Sequence, residues 1–198
     1  MVFSGRVVGG LFDFVASNCR FNYDKFQIDM DIIDSMIMYT EDKAGLMNMY
    51  GEFELKRVNS MIEELSGTLY IDMPGNKCGR TDNPDYPMFE SRKAGKVFYD
   101  QPYVLGGVYN RERFWYHVDL FVIKNLDNFV IDSLKFNGRL ISGGIFPDIP
   151  EPLMIRPDFS LGFTHQTTSL PMYENRGFYT STIDLSNNGL RGTGTIDF

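Results

Sequence analysis

Long apolar runs, sulfur and imidazole are all scarce in this sequence, and each scarcity removes a class of explanation. No stretch approaches the ~20 apolar residues that a membrane-crossing helix needs, so no transmembrane helix is expected. The longest candidate, Phe114 to Ile123, is mixed. The two cysteines, Cys19 and Cys78, lie far apart and outside any CxxC or Cys/His ligand spacing. Free thiols are the expectation, with a disulfide as the alternative in an oxidising compartment. The two histidines, His117 and His165, are too few and too separated to make a zinc set. Bases number 19 against 26 acids, without long runs of either sign, so no phosphate-backbone ligand is indicated and nucleic acid is not an expected partner. Near the start, Asp13 and the Gly9–Gly10 pair interrupt the apolar stretch that a signal-peptide core requires.

What is abundant is the material of a folded sheet. The 198 residues are 43% hydrophobic and 15% aromatic, with Phe and Tyr far ahead of the single Trp, which leans toward β structure. Period two is the commonest signal. FQIDMDI sets Phe26, Ile28, Met30 and Ile32 against Gln27, Asp29 and Asp31, and Ile33 then breaks the phase. A bulge near Ile32 and Ile33, followed by a second strand from Ser35 to Tyr39, is expected. Phe114 to Ile123 reads as a central strand covered on both sides. One segment prefers the helical period: Leu55, Val58, Met61, Ile62 and Leu65 share a face, with Gly67 where a C-cap glycine belongs, so a short helix over 53–65 is predicted. Pro74 to Pro87 and Gly144 to Asp158 carry the prolines of loops or edge segments.

Two phrases recur. LxGTxxID occurs at Leu65 to Asp72 and again at Leu190 to Asp197, and Ile33-Asp34-Ser35-Met36 is echoed by Ile131-Asp132-Ser133-Leu134. Such echoes are the mark of stacked structural repeats when they are real. Around the second LxGTxxID, Leu190, Gly192, Gly194, Ile196 and Phe198 share one face, and Arg191, Thr193, Thr195 and Asp197 the other. The pattern resembles a final outer-membrane barrel strand, although the glycines and proline-rich loops do not suit a small barrel. As an open edge it would invite self-association through Leu190 to Phe198.

Candidate chemistry is thin. His117 and Asp119 share a strand face, and Ser133 could join them as a nucleophile, but no serine lies in an elbow motif and a structural His–Asp contact is favoured. His165 has polar neighbours and is read as a loop or strand-end residue. Asp29, Asp31 and Asp34, and Asp82 with Asp85, could offer oxygens to calcium but lack an EF-hand pattern. Glu52 and Glu54 are read as helix-start acids rather than a glycosidase pair. The aromatic cluster is the most credible ligand site: Tyr99, Tyr103, Tyr109 and Trp115, interleaved with Arg111 and Arg113, could form a sugar platform if the rings are exposed, although burial in the core is the favoured fate of such rings.

RFNYDKFQIDMDIIDSM, LSGTLYIDMPGNKCGR, GGIFPDI with RPDFSLGF, and LSNNGLRGTGTIDF together resemble a segment of very large envelope-associated proteins of Bacteroidetes. The LxGxxxI phrases are also similar to the repeats of AsmA-like bridge proteins, which line a lipid-conducting groove. This resemblance implies a piece of a longer, strand-repeating chain, a cell-envelope location (periplasmic or outer-membrane associated), and partners that are other segments of that chain or envelope components. The expectation is one mainly β domain over 1–198, a sandwich or an open strand-repeating antiparallel sheet with one short helix. It is a non-catalytic structural or interaction module that contacts adjoining segments or lipid and takes no cofactor. A carbohydrate-binding module and a hydrolase without a recognisable motif are the alternatives.

Overall fold

The period-two segments pair in sequence order into an antiparallel meander. The computed structural model describes residues 1–42, 45 and 47–198. The larger sheet holds β1 (Val2–Gly9), β2 (Phe12–Asn22), β3 (Gln27–Glu41), β4 (Leu55–Arg57), β5 (Ile62–Tyr70), β6 (Met88–Lys93), β7 (Gly95–Phe98), β8 (Trp115–Val118), β9 (Val122–Ile123) and β10 (Gly138–Ile141). Its order is β1-β2-β3-β5-β7-β8-β10, with β4 on β3, and β6 between β5 and β9. The smaller sheet runs β11 (Met154–Ile155), β12 (Leu161–Met172), β13 (Gly177–Ser186) and β14 (Gly189–Asp197). Bridges Leu140–Ile149 and Phe136–Leu153 carry the ladder from β10 to the segment that enters β11. Among the described residues β1 pairs only with β2, and β14 only with β13, so the ladder has two free ends and does not close as a barrel.

One cluster of buried side chains spans both sheets. Phe12, Phe14, Met30, Ile33 and Met36 come from the larger sheet, and Phe163, Ile183 and Leu185 from the smaller. Burial of each such side chain stabilises the fold by about 1.5 to 3 kcal/mol. The segment between β7 and β8 fills the space between the sheets with Tyr99, Val104 and Phe114.

The bulge expected near Ile32 and Ile33 is present, but it does not begin a second strand, because β3 runs unbroken through Ser35 to Tyr39. Asp31 and Ile32 face a single position of β5, and Asp34 is extra against β2, so Ile32 turns outward while Ile33 is fully buried. The helix over 53–65 is absent. That stretch forms β4, a connection, and the start of β5. Glu64 adopts a left-handed φ of 61°, and Ile62 and Leu65 on either side of it are both buried, three positions apart. A strand with one left-handed residue thereby copies helical spacing.

Phe114 to Ile123 also departs from expectation. It breaks into β8 and β9 at Asp119–Phe121, and only one face is covered: Tyr116 and Val118 are buried, whereas Trp115 and His117 are half-buried and Val122 is exposed. Trp115 nonetheless lies in an interior strand, between Phe98 of β7 and Ile141 of β10. The four-letter echo is not structural, since Ile33–Met36 is strand and Ile131–Ser133 is a 3-10 turn. Cys19 is buried in β2 and Cys78 exposed, each a free thiol.

Candidate functional site

The smaller sheet has two unlike faces. Cross-strand pairing puts Phe163, His165, Leu170 and Met172 of β12 in line with Leu185, Ile183 and Tyr179 of β13, then with Leu190, Gly192 and Ile196 of β14. The opposite face carries Thr164, Gln166, Thr182, Asp184, Arg191, Thr193 and Thr195. The apolar face starts inside the core and runs out of it. Ile183 is 1% exposed, whereas Ile196 is 47% and Phe198 fully exposed.

Where cover ends, a groove of about 310 Å³ opens, with Ile183, Leu190, Gly192 and Ile196 on its sheet side and Tyr109 and Phe146 on the other. Phe146 meets Tyr179 edge-on at 5.9 Å, and Tyr109 stacks on Phe114 at 4.0 Å. The glycines keep the groove open. A Cβ at Gly192 would meet the Tyr179 hydroxyl at 2.8 Å, and that hydroxyl donates to Thr182 O at 2.7 Å. Tyr109 fixes the entry to β14: its hydroxyl accepts the Leu190 N–H at 2.7 Å and would meet a Cβ on Gly189, whose φ of 80° already favours glycine. Among the described residues Arg191 is the one charged residue lining the groove, and the rest of that lining suits apolar chains.

The predicted site residues do not gather into one open face. Tyr99 is fully buried and donates its hydroxyl to Leu161 O at 3.0 Å, and burial holds that phenol well above its ordinary pKa. Tyr103 is half-exposed and donates to Asn59 O at 2.8 Å. Arg111 lies 3.5 Å above the Phe98 ring and pairs with Glu63 and, at 3.3 Å, with Asp100. Arg113 donates to Gly143 O at 3.0 Å on the surface. Trp115 is half-buried with Lys96 Nζ 5.0 Å from its ring centroid. Tyr109 alone belongs to the groove. Tyr99 and Tyr109 tie this segment to the smaller sheet, at Leu161 and Leu190, while the contacts of the other four lie outside that sheet.

Asp34 and Asp82 are exposed, and most of the remaining candidates are engaged in structural contacts. His117 Nε2 lies 3.5 Å from Asp119 Oδ1, while the Ser133 hydroxyl donates to Val130 O at 2.7 Å within its own turn. His165 is inside β12 rather than at a strand end or in a loop, and its Nδ1 is 2.8 Å from Glu151 Oε1. Asp29 accepts from Thr68 and Gln27, and Asp31 pairs with Arg20 and Arg92. Asp85 pairs with Lys124 at 2.8 Å, and Glu52 accepts from Asn48 at 3.2 Å. With no helix beside them, Glu52 and Glu54 are loop acids and not helix-start acids. Gly192 and Gly194, alternating with Leu190 and Ile196, were the sequence signal of the groove floor. Its wall, Ile145 and Phe146, carried no signal beyond a proline-rich connection.

No family model, curated protein or solved structure matches the chain.

Proposed function

We propose that this chain is a non-catalytic structural or interaction module of a larger cell-envelope protein, and that it docks a further apolar element against the smaller sheet. The observation that carries the reading is the apolar face of β12–β14, which leaves the core and ends in a groove beside a strand paired on one side only. Such a surface lowers its free energy by covering exposed apolar area and by satisfying free backbone groups. The element it covers is an adjoining segment of the parent chain or an acyl chain. The envelope setting draws its support from the sequence phrases that resemble large envelope-associated proteins. Carbohydrate binding draws less, because Tyr99 is buried, Tyr109 is stacked on Phe114 and Trp115 is faced by Lys96.

The test is titration of the dilute chain with anilinonaphthalene sulfonate, a dye that brightens in apolar clefts. Saturable binding is expected, lost in Ile196→Lys with an unchanged melting temperature. Absence of binding, or equal binding to Ile196→Lys, overturns the reading.

A further inference from the structure

The free backbone groups of β14 can be assigned residue by residue. Leu190 N–H donates to the Tyr109 hydroxyl, so it points away from β13. Alternation along an antiparallel strand then turns the N–H and C=O groups of Gly192, Gly194 and Ile196 outward too, while Arg191, Thr193 and Thr195 bond to β13. Tyr109 closes the edge at Leu190. The open template therefore begins at Gly192.

The side chains specify what fits it. The polar row reads Arg191, Thr193, Thr195, Asp197, with one cation and one anion equally distant from Gly194. An antiparallel copy of the same strand centred on Gly194 sets Arg191 opposite the second copy's Asp197, and Asp197 opposite the second copy's Arg191. Thr193 then faces Thr195. On the apolar side, the second copy's Ile196 lies beside Gly192, which adds no side chain of its own, next to the Tyr179 ring. Its Phe198 comes beside Leu190 and Tyr109 at the groove. Neighbouring registers lose these matches. Centring on Thr193 sets Arg191 opposite Thr195, and centring on Thr195 sets Asp197 opposite Thr193, so in neither register do the two charges meet.

We propose that two copies of this chain associate through β14 in an antiparallel, two-fold register centred on Gly194, joining their smaller sheets and covering each groove with the other copy's Ile196 and Phe198. Pairing of exposed strand edges is a general mode of association, and opposed charges select among registers. The inference shares the open edge with the functional reading but not its envelope setting, and the dye titration can succeed where dimerisation fails.

Register is read by disulfide trapping in a Cys78→Ser background, since Cys19 is buried. Directly opposed residues in a non-hydrogen-bonded antiparallel pair lie within disulfide reach. An equimolar mixture of Thr193→Cys and Thr195→Cys chains is expected to give a covalent dimer of twice 22.8 kDa, with little from either variant alone. Thr193→Cys cross-linking by itself would establish the register centred on Thr193, and Thr195→Cys by itself the one centred on Thr195. Either result overturns the proposal, as does the absence of any cross-link. Without cysteines, light scattering should show a concentration-dependent dimer that Asp197→Lys and Ile196→Pro each abolish. The proline removes an outward N–H and spares the β13 ladder. A strictly monomeric parent chain, or variants that dimerise as well as the parent, would refute the pairing.

Discussion

The Tyr109 hydroxyl accepts the Leu190 N–H at 2.7 Å, binding the loop before β8 to the first residues of the last strand. The same ring stacks on Phe114, so one side chain serves both the core and the edge. Tyr109→Phe keeps the ring and deletes the acceptor. The expected cost is about 1 kcal/mol in urea denaturation, with faster amide exchange at Leu190 than in the parent. Unchanged exchange at Leu190 would show that this bond does not hold β14.

The two thiols should differ sharply in reactivity. Burial pushes the Cys19 thiol up in pKa and shields it, whereas Cys78 is exposed in a turn. An aromatic disulfide reagent is expected to modify one thiol rapidly in the folded chain and the second only in denaturant. Rapid modification of both would contradict the packing of β2 against β3.

Sequence periodicity carried the sheet character, the bulge in β3 and the two faces of β14, because each follows from alternation within a single strand. It misread 53–65, where the left-handed turn at Glu64 changed the phase and made Ile62 and Leu65 imitate a helix. The aromatic cluster is visible in the sequence, and burial is the favoured fate of its rings, but which ring is buried is not. Whether Tyr99 faces water or Leu161 depends on a strand far along the chain, and nothing local encodes that contact. The groove was hidden for the same reason, since Phe146 and Gly192 meet only through the tertiary fold.

Alkaline pH should destabilise the fold through two phenols. Burial raises the Tyr99 hydroxyl well above its ordinary range, and burial with the nearby Asp119 charge raises Tyr116. A folded pKa above the unfolded value means that the stabilisation is complete below about pH 10 and is lost as pH climbs toward the folded value, because only the unfolded chain releases those protons. Urea midpoints should therefore fall between about pH 9 and pH 11, and less steeply in Tyr99→Phe. Tyrosinate absorbance should show a fraction of the 11 tyrosines titrating only on unfolding. An identical decline in Tyr99→Phe would assign the effect to other groups.

The recurring LxGT phrase places its glycine beside a neighbouring aromatic ring both times, yet the two sites should respond differently to a methyl group. In β5 a Cβ on Gly67 would meet the buried Phe89 ring and, at 2.6 Å, the Glu90 carbonyl oxygen. Neither neighbour has room to withdraw, because β5 is paired on both sides. In β14 a Cβ on Gly192 would meet the far end of the Tyr179 side chain at an edge paired on one side. Gly67→Ala is therefore expected to cost roughly 1–3 kcal/mol as overpacking. In Gly192→Ala the reduced freedom of the unfolded chain, about 0.4–1 kcal/mol, offsets a smaller clash and leaves stability near the parent value. Chemical denaturation of the two variants decides between them. Equal losses would mean that β14 is as tightly confined as an interior strand, which is incompatible with a free edge beside an open groove.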